Sequence, residues 1–71
     1  MNSTTLALKV KQLRKANKLT QEDLAMKSGV GLRFVRDLEQ GKPTLRLDKV
    51  NQLLGLFNYE MQPVRINNDG K

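Results

Sequence analysis

The chain has 71 residues and a net charge of +6, and it contains neither cysteine nor histidine. Its length indicates one small domain. The two missing residue types exclude disulfides, thiolate zinc sites and the commonest general base, so an enzyme is not expected. The longest apolar run, residues 53–57, is far too short to cross a membrane, and the N-terminus has no signal-peptide pattern. These features predict a cytoplasmic protein without cofactor or metal.

The spacing of apolar residues predicts four helices in chain order. Leu6, Val10 and Leu13 recur at helical intervals and define the first helix. Thr20 is the expected N-cap of the second helix, with Asp23 three residues later at the position that completes a capping box. The predicted helices cover residues 4–16, 21–27, 32–40 and 46–57.

Residues 21–40, which read QEDLAMKSGVGLRFVRDLEQ, have the spacing of a helix-turn-helix. The small Ala25 lets the two helices approach closely, and Gly29 tolerates the positive φ that the turn needs. Val35 is then expected to pack against Ala25, and Gly41 is expected to end the second helix of the pair. Because this module lays its second helix in the major groove, the pattern predicts binding to double-stranded DNA.

Basic residues are concentrated where such a module meets DNA. Arg33 and Arg36 lie on the second helix of the pair, and they are the best candidates for contacts to guanine O6 and N7. Either arginine could instead bind a phosphate. Gln21 begins the first helix of the pair, where helix amides and its own side chain can donate to a phosphate; the alternative is a solvated side chain beside the cap. Five further basic residues precede any acidic one: Lys9, Lys11, Arg14, Lys15 and Lys18.

The remaining residues near the predicted groove have more than one interpretation. Asp37 repels phosphate, so it is expected to pair with Arg33 or another basic side chain, or to accept a hydrogen bond from a cytosine amine. Glu39 is expected to be structural, bonded near the helix end or to Arg14. Lys42 and Thr44 follow the helix and are expected to contact phosphates. The complete predicted DNA-binding set is Gln21, Leu32, Arg33, Arg36, Asp37, Gln40, Lys42 and Thr44.

The C-terminal segment changes character, because Val64 and Ile66 alternate with the polar Arg65. Residues 60–66 are predicted to form one strand, and the tail 67–71 is predicted to be disordered. A single strand has no partner in the chain, so we expect it to pair with the same strand of a second copy. The alternative is a segment that wraps its own monomer. Residues 1–58 are thus the predicted DNA-binding domain and 59–71 the dimerisation segment, with Tyr59, Met61, Val64 and Ile66 as the dimerisation residues.

A family resemblance is carried by the runs TQEDLA at 20–25, SGV at 28–30 and LEQGK at 38–42. Over residues 6–57 the chain resembles the Xre/Cro family of bacterial and phage repressors. Residues 31–44 and 46–50 are similar to its HipB-type antitoxin branch. The resemblance implies an all-α, lambda-repressor-like domain of four to five helices, with a short C-terminal strand that pairs across a homodimer. It also implies a palindromic operator, autorepression and a HipA-like serine/threonine kinase toxin as partner.

The chain departs from the common Xre pattern at three positions. Gly31 stands where Ser or Thr often caps the recognition helix, so one cap and phosphate contact is missing. Leu32 replaces a frequent Gln, and it could contact a thymine methyl or simply be exposed. Phe34 replaces a small residue and could pack under the helix or reach a partner surface.

Three functions remain open. The first is a sequence-specific repressor that is also the antitoxin of a kinase toxin, bound to the nucleoid when on its operator. The second is a phage- or plasmid-type Xre repressor without a toxin. The third is a protein-interaction module with the same fold that does not bind DNA. Gln21, Arg33, Arg36 and Lys42 argue against the third.

Overall fold

A computed structural model describes residues 5–66 of the chain, and within this range it contains four α-helices. These are α1 (Thr5–Ala16), α2 (Gln21–Ser28), α3 (Leu32–Glu39) and α4 (Leu47–Gly55). The predicted order of four helices is therefore confirmed. The predicted first residue of the first helix and the predicted disordered tail 67–71 lie outside the described residues. None of the helices in residues 5–66 is long and apolar enough to span a membrane.

The start of α2 is fixed by a capping box. The Thr20 hydroxyl accepts a hydrogen bond from the Asp23 backbone N–H at 3.0 Å, and the Asp23 carboxylate accepts one from the Thr20 N–H at 3.0 Å. The two bonds satisfy donors that a helix start leaves unpaired. The backbone bond from Thr20 lowers the pKa of Asp23 below its ordinary value. This confirms the predicted N-cap.

Three helices end in a left-handed residue followed by a bond back across the last turn. The left-handed residues are Lys18, Gly41 and Asn58, at φ 59°, 82° and 65°. In each case the next N–H donates to a carbonyl five residues earlier, for example Lys42 to Asp37 at 3.0 Å. This arrangement satisfies carbonyls that the helix end leaves free. It confirms Gly41 as the predicted terminator. Helix α4 ends at Gly55, two residues before the predicted end at 57, because the N–H groups of Leu56, Phe57 and Asn58 donate to carbonyls only three residues earlier.

The turn between α2 and α3 is held by a residue of α4. Gly29 adopts φ 84°, and its N–H donates to the Ala25 carbonyl at 2.9 Å. The Gln52 side chain donates to the Ser28 carbonyl at 3.0 Å. The left-handed conformation favours glycine at this position, and a Cβ on Gly29, 2.9 Å from Gln52 Nε2, would also displace the side-chain amide that holds the turn.

The core is one cluster to which all four helices contribute. Ala25 and Val35 belong to the same cluster, as the helix-turn-helix spacing predicts. Leu24, Leu38 and Leu53 are its largest fully buried side chains. Truncation of such a leucine to alanine generally costs about 2–5 kcal/mol. The buried members of the cluster are Val10, Leu24, Ala25, Val30, Val35, Leu38, Val50, Leu53 and Leu54.

The predicted C-terminal strand is not present in the single chain, because none of residues 60–66 is in a strand. A strand needs a hydrogen-bonded neighbour. Here the Met61 N–H donates to the Asn51 side chain at 2.7 Å instead. The Tyr59 ring lies 5.1 Å below Lys9 Nζ. The first part of the segment therefore wraps its own monomer, whereas Val64 and Ile66 are each 81% exposed.

Candidate nucleic-acid interface

Helix α3 has one buried face and one polar face. Val35, Leu38 and Glu39 are buried, and the opposite face carries four side chains at positions i, i+3, i+4 and i+7. Residues at these intervals lie on one side of a helix. Asp37 is half-buried and the other three are exposed. We call these four residues the α3 stripe: Arg33, Arg36, Asp37 and Gln40.

A buried carboxylate joins the recognition helix to the two helices before it. Glu39 accepts from Arg14 Nε at 2.7 Å and from Arg14 Nη2 at 3.0 Å. Arg14 also donates to the Leu19 carbonyl at 2.9 Å. The hydrogen bond with Glu39 raises the pKa of Arg14 above its ordinary value. The structure thus confirms that Glu39 is structural and that Arg14 is its partner.

Gln21 lies at the first position of α2 and takes part in the same network. Its side-chain nitrogen donates to Glu39 Oε1 at 3.1 Å, and the residue is half-buried. Gln21 is therefore not the freely solvated side chain of the alternative interpretation. A side-chain amide has two N–H donors, so one remains that can serve a phosphate at this helix start.

Asp37 pairs with the residue that follows the helix terminator. Lys42 Nζ lies 3.5 Å from Asp37 Oδ2, and the Lys42 backbone N–H donates to the Asp37 carbonyl. The left-handed Gly41 turns the chain back over the last turn of α3 and so brings Lys42 to this position. Of the partners predicted for Asp37, the structure therefore selects another basic side chain over Arg33.

The two arginines of the stripe have no acidic partner among residues 5–66, where the ion pairs are Arg14–Glu39, Lys42–Asp37 and Arg46–Asp48. Three acidic groups are thus neutralised within the protein, while Arg33 and Arg36 remain exposed with their charges unopposed. Thr44 is exposed in the loop after α3. Such a surface can neutralise phosphates and release counterions.

The apolar residues at the start of α3 are partly withdrawn from solvent. Leu32 and Phe34 both pack against the core cluster and are half-buried. For Phe34 this favours packing under the helix over a role at a partner surface. For Leu32 it contradicts simple exposure. Gly31, the N-cap, makes no side-chain cap bond, in agreement with the missing cap predicted from the sequence.

Sequence reasoning did not find Gln52, Asn51 or Lys9 as positioning residues. Gln52 fixes the α2–α3 turn, and the other two hold residues 59–61 to the body of the domain. These side chains act across 24, 10 and 50 positions of the chain, by the difference of the residue numbers. Neither periodicity nor a local motif indicates contacts of that range.

Two helices that meet at a tight glycine turn, the second with an outward basic stripe, define the helix-turn-helix class of DNA-binding domains. Residues 10–64 match the helix-turn-helix family HTH_3, and the chain belongs to this family, which is of the Xre type.

The chain is also similar to a curated protein of Sinorhizobium fredii (strain NBRC 101917 / NGR234). That protein is named "Uncharacterized HTH-type transcriptional regulator y4mF". The two are 53% identical over 45 residues, which cover 63% of this chain and 59% of the relative. The chain thus matches little more than half of the relative's length.

Proposed function

We propose that the protein is a sequence-specific DNA-binding transcriptional repressor that acts on its own operon. The observation that carries the proposal is the α3 stripe, in which Arg33 and Arg36 are exposed and free of acidic partners. Membership of the helix-turn-helix family supports it. The printed name of the Sinorhizobium relative, a transcriptional regulator, supports it as well.

The residues divide into base and phosphate contacts. Arg33 and Arg36 reach base edges in the major groove, most simply guanine O6 and N7. Gln21 donates to a phosphate at the start of α2, and Lys42 and Thr44 contact the same backbone beyond α3. Leu32 and Gln40 lie at the two ends of the groove-facing helix. Bound in this way, the protein covers its operator on the nucleoid.

The test is fluorescence anisotropy of the full chain on duplex DNA from upstream of its own gene, against a shuffled duplex, across a salt series. The proposal expects tight binding that is selective for the upstream DNA and falls steeply with salt. Binding that is weak and indifferent to sequence would contradict it. That result would favour the alternative of a protein-interaction module, because the protein would have the fold but would not recognise a DNA sequence.

The proposed repressor is a homodimer on a palindromic operator. Two-fold symmetric half-sites match two copies of one recognition helix. Val64 and Ile66 are the exposed apolar residues that we assign to the contact between copies, with an antiparallel pairing of the two segments. Tyr59 and Met61 contact their own chain, and they support the segment rather than form its outer edge.

The antitoxin role, with a HipA-like kinase as toxin, is the finer part of the proposal and rests on the HipB-type resemblance of residues 31–50. Its test is co-expression with any kinase-like gene next to this one, with growth and co-purification as readouts. Rescue of growth together with a stable complex is the expected result. A kinase that stays toxic and unbound would leave the plain Xre repressor as the function.

A further inference from the structure

The first two turns of α3 carry few hydrogen-bonding groups on their outer face, and these groups are of two kinds; the amide of the stripe, Gln40, follows the last residue of the helix. Arg33 and Arg36 offer only donors, and the Asp37 carboxylate offers only acceptors. Glu39 is already bonded to Arg14 and Gln21, so it is not available to DNA. The first two turns of α3 therefore present guanidinium and carboxylate groups but no side-chain amide.

The bases of DNA differ in the hydrogen-bond donors and acceptors that they present in the major groove. Guanine presents two acceptors in the major groove, and cytosine presents a donor. Adenine presents a donor beside an acceptor, which is matched by the amide of Asn or Gln. Donor-only and acceptor-only side chains thus fit the two members of a G·C pair. We propose that α3 reads a half-site with G·C pairs at its centre, in which Asp37 is the residue that selects cytosine; this rests on the proposed base contacts of α3.

The position of Asp37 along the helix agrees with this role. Arg33 and Asp37 are four residues apart on one face, which corresponds to about 6 Å along the helix axis. Base pairs are stacked roughly 3.4 Å apart along the duplex. The guanine bound by Arg33 and the cytosine bound by Asp37 therefore belong to pairs about two steps apart in one half-site.

Lys42 allows the carboxylate of Asp37 to lie close to the DNA phosphates. A free Asp37 would be repelled by the phosphates that flank the groove. With Lys42 Nζ at 3.5 Å the pair carries no net charge, and the bond from the Lys42 N–H to the Asp37 carbonyl holds the two residues in register. Lys42 is thus a positioning residue for Asp37 in addition to its proposed phosphate contact.

The experiment selects preferred sites from a random duplex library with the full chain, and then measures affinities for single base changes. The wild-type protein is expected to select G·C pairs at the central positions. Asp37→Asn replaces an acceptor by an amide, so one position should change from cytosine to adenine, by about five- to 100-fold in relative affinity. The position read by Arg33 should keep its guanine.

Two further variants separate readout from charge. Glu60→Gln removes one negative charge from the exposed C-terminal segment, outside the helix-turn-helix, and should leave every base preference unchanged. Lys42→Met should weaken discrimination at the Asp37 position more than at the Arg33 position. In the Asp37→Asn background it should change overall affinity only. A uniform loss at all positions in both backgrounds would show that Lys42 contacts phosphate without positioning Asp37.

The outcomes distinguish this inference from the proposed function. A wild-type protein without any sequence preference would remove the repressor proposal itself. A selective protein that prefers A·T pairs at the central positions would overturn the inference alone. A cytosine preference that persists in Asp37→Asn would also overturn the inference alone. Asp37→Ala should lose the cytosine preference without gaining adenine, and circular dichroism of each variant confirms that the helices are retained.

Discussion

Arg14 and Glu39 form a two-pronged ion pair that connects α1 to the last residue of α3. Arg14 Nε and Nη2 lie 2.7 Å and 3.0 Å from the two carboxylate oxygens. The side chains are only 12% and 2% exposed. Planar guanidinium and carboxylate groups matched in this way give a strong, directional contact. The orientation of the recognition helix is therefore set by a polar contact as well as by the apolar core.

Loss of Glu39 should destabilise the fold strongly, because Arg14 would then be a largely buried charge without its partner. Glu39→Ala is expected to cost about 3–5 kcal/mol, a large part of the stability of a small domain. Urea unfolding followed by circular dichroism measures it. The double variant Arg14→Met/Glu39→Leu should lose much less than the single one. Asp48→Ala, which breaks an exposed pair with Arg46, serves as the control and should change little.

Replacement of Gly29 should destabilise the helix-turn-helix, whereas replacement of Gly55 should not. Gly29→Ala places a side chain in a left-handed residue and a Cβ at 2.9 Å from Gln52 Nε2, so a loss of about 1–2 kcal/mol is expected. A Cβ on Gly55 would meet no neighbouring atom within 4 Å, and Gly55→Ala should gain about 0.4–1 kcal/mol. Thermal unfolding compares the two. Equal effects of the two substitutions would contradict the role of the turn.

The capping box should make part of the free energy of unfolding depend on pH. Because the pKa of Asp23 in the folded protein lies below its ordinary value of 3.8, its stabilising effect is present above that value. The effect is lost as the pH falls through the lower folded pKa. The free energy of unfolding of the wild type should therefore exceed that of Asp23→Ala by more at pH 6 than at pH 2. If Asp23→Ala lowers the free energy of unfolding by the same amount at pH 6 and pH 2, the charge of Asp23 does not contribute to the cap.

Arg33→Ala should weaken binding to the preferred site by about 1–3 kcal/mol and relax the base preference at one position. The physical reason is the loss of a two-donor contact to a guanine edge. Anisotropy on the preferred and shuffled duplexes measures both effects. Lys27→Ala removes the same charge from the exposed end of α2 and should leave selectivity unchanged. An equal loss of Arg33→Ala on both duplexes would make Arg33 a phosphate contact.

Truncation after Gln62 should abolish the dimer while it preserves the domain. This variant keeps Tyr59 and Met61, with their contacts to Lys9 and Asn51, and removes Val64 and Ile66. Sedimentation should then report a monomer, and the thermal midpoint at low concentration should be close to that of the full chain. A truncated chain that still sediments as a dimer would exclude the C-terminal segment as the interface.

The parts of the structure that could be predicted are those fixed by local chemistry. The Thr20–Asp23 cap, the glycines of the turn and of the α3 end, and the helical order follow from short-range rules. The Arg14–Glu39 pair is one of two alternatives that the sequence leaves for Glu39, and the structure selects it. These features depend on residues a few positions apart or on a spacing that a common fold repeats.

Most of the features that could not be predicted arise where distant elements meet, and one arises from the direction of a turn. The single-chain path of residues 60–66 depends on Asn51, and the turn depends on Gln52, neither of which has a local signature. The Asp37–Lys42 pair depends on the direction in which Gly41 turns the chain. The sequence predicts a phosphate contact for the amide of Gln21, and one of its donors is instead used inside the protein.

Asn51 and Gln52 are neighbours on α4, and each of them bonds one part of the proposed dimeric repressor. Asn51 binds the start of the C-terminal segment, and Gln52 binds the turn that precedes the recognition helix. In a dimer joined through residues 63–66, the separation of the two recognition helices would thus be set through one turn of α4. In such a dimer the number of base pairs between half-sites would be encoded outside the helix-turn-helix, and it would evolve separately from the bases that are read.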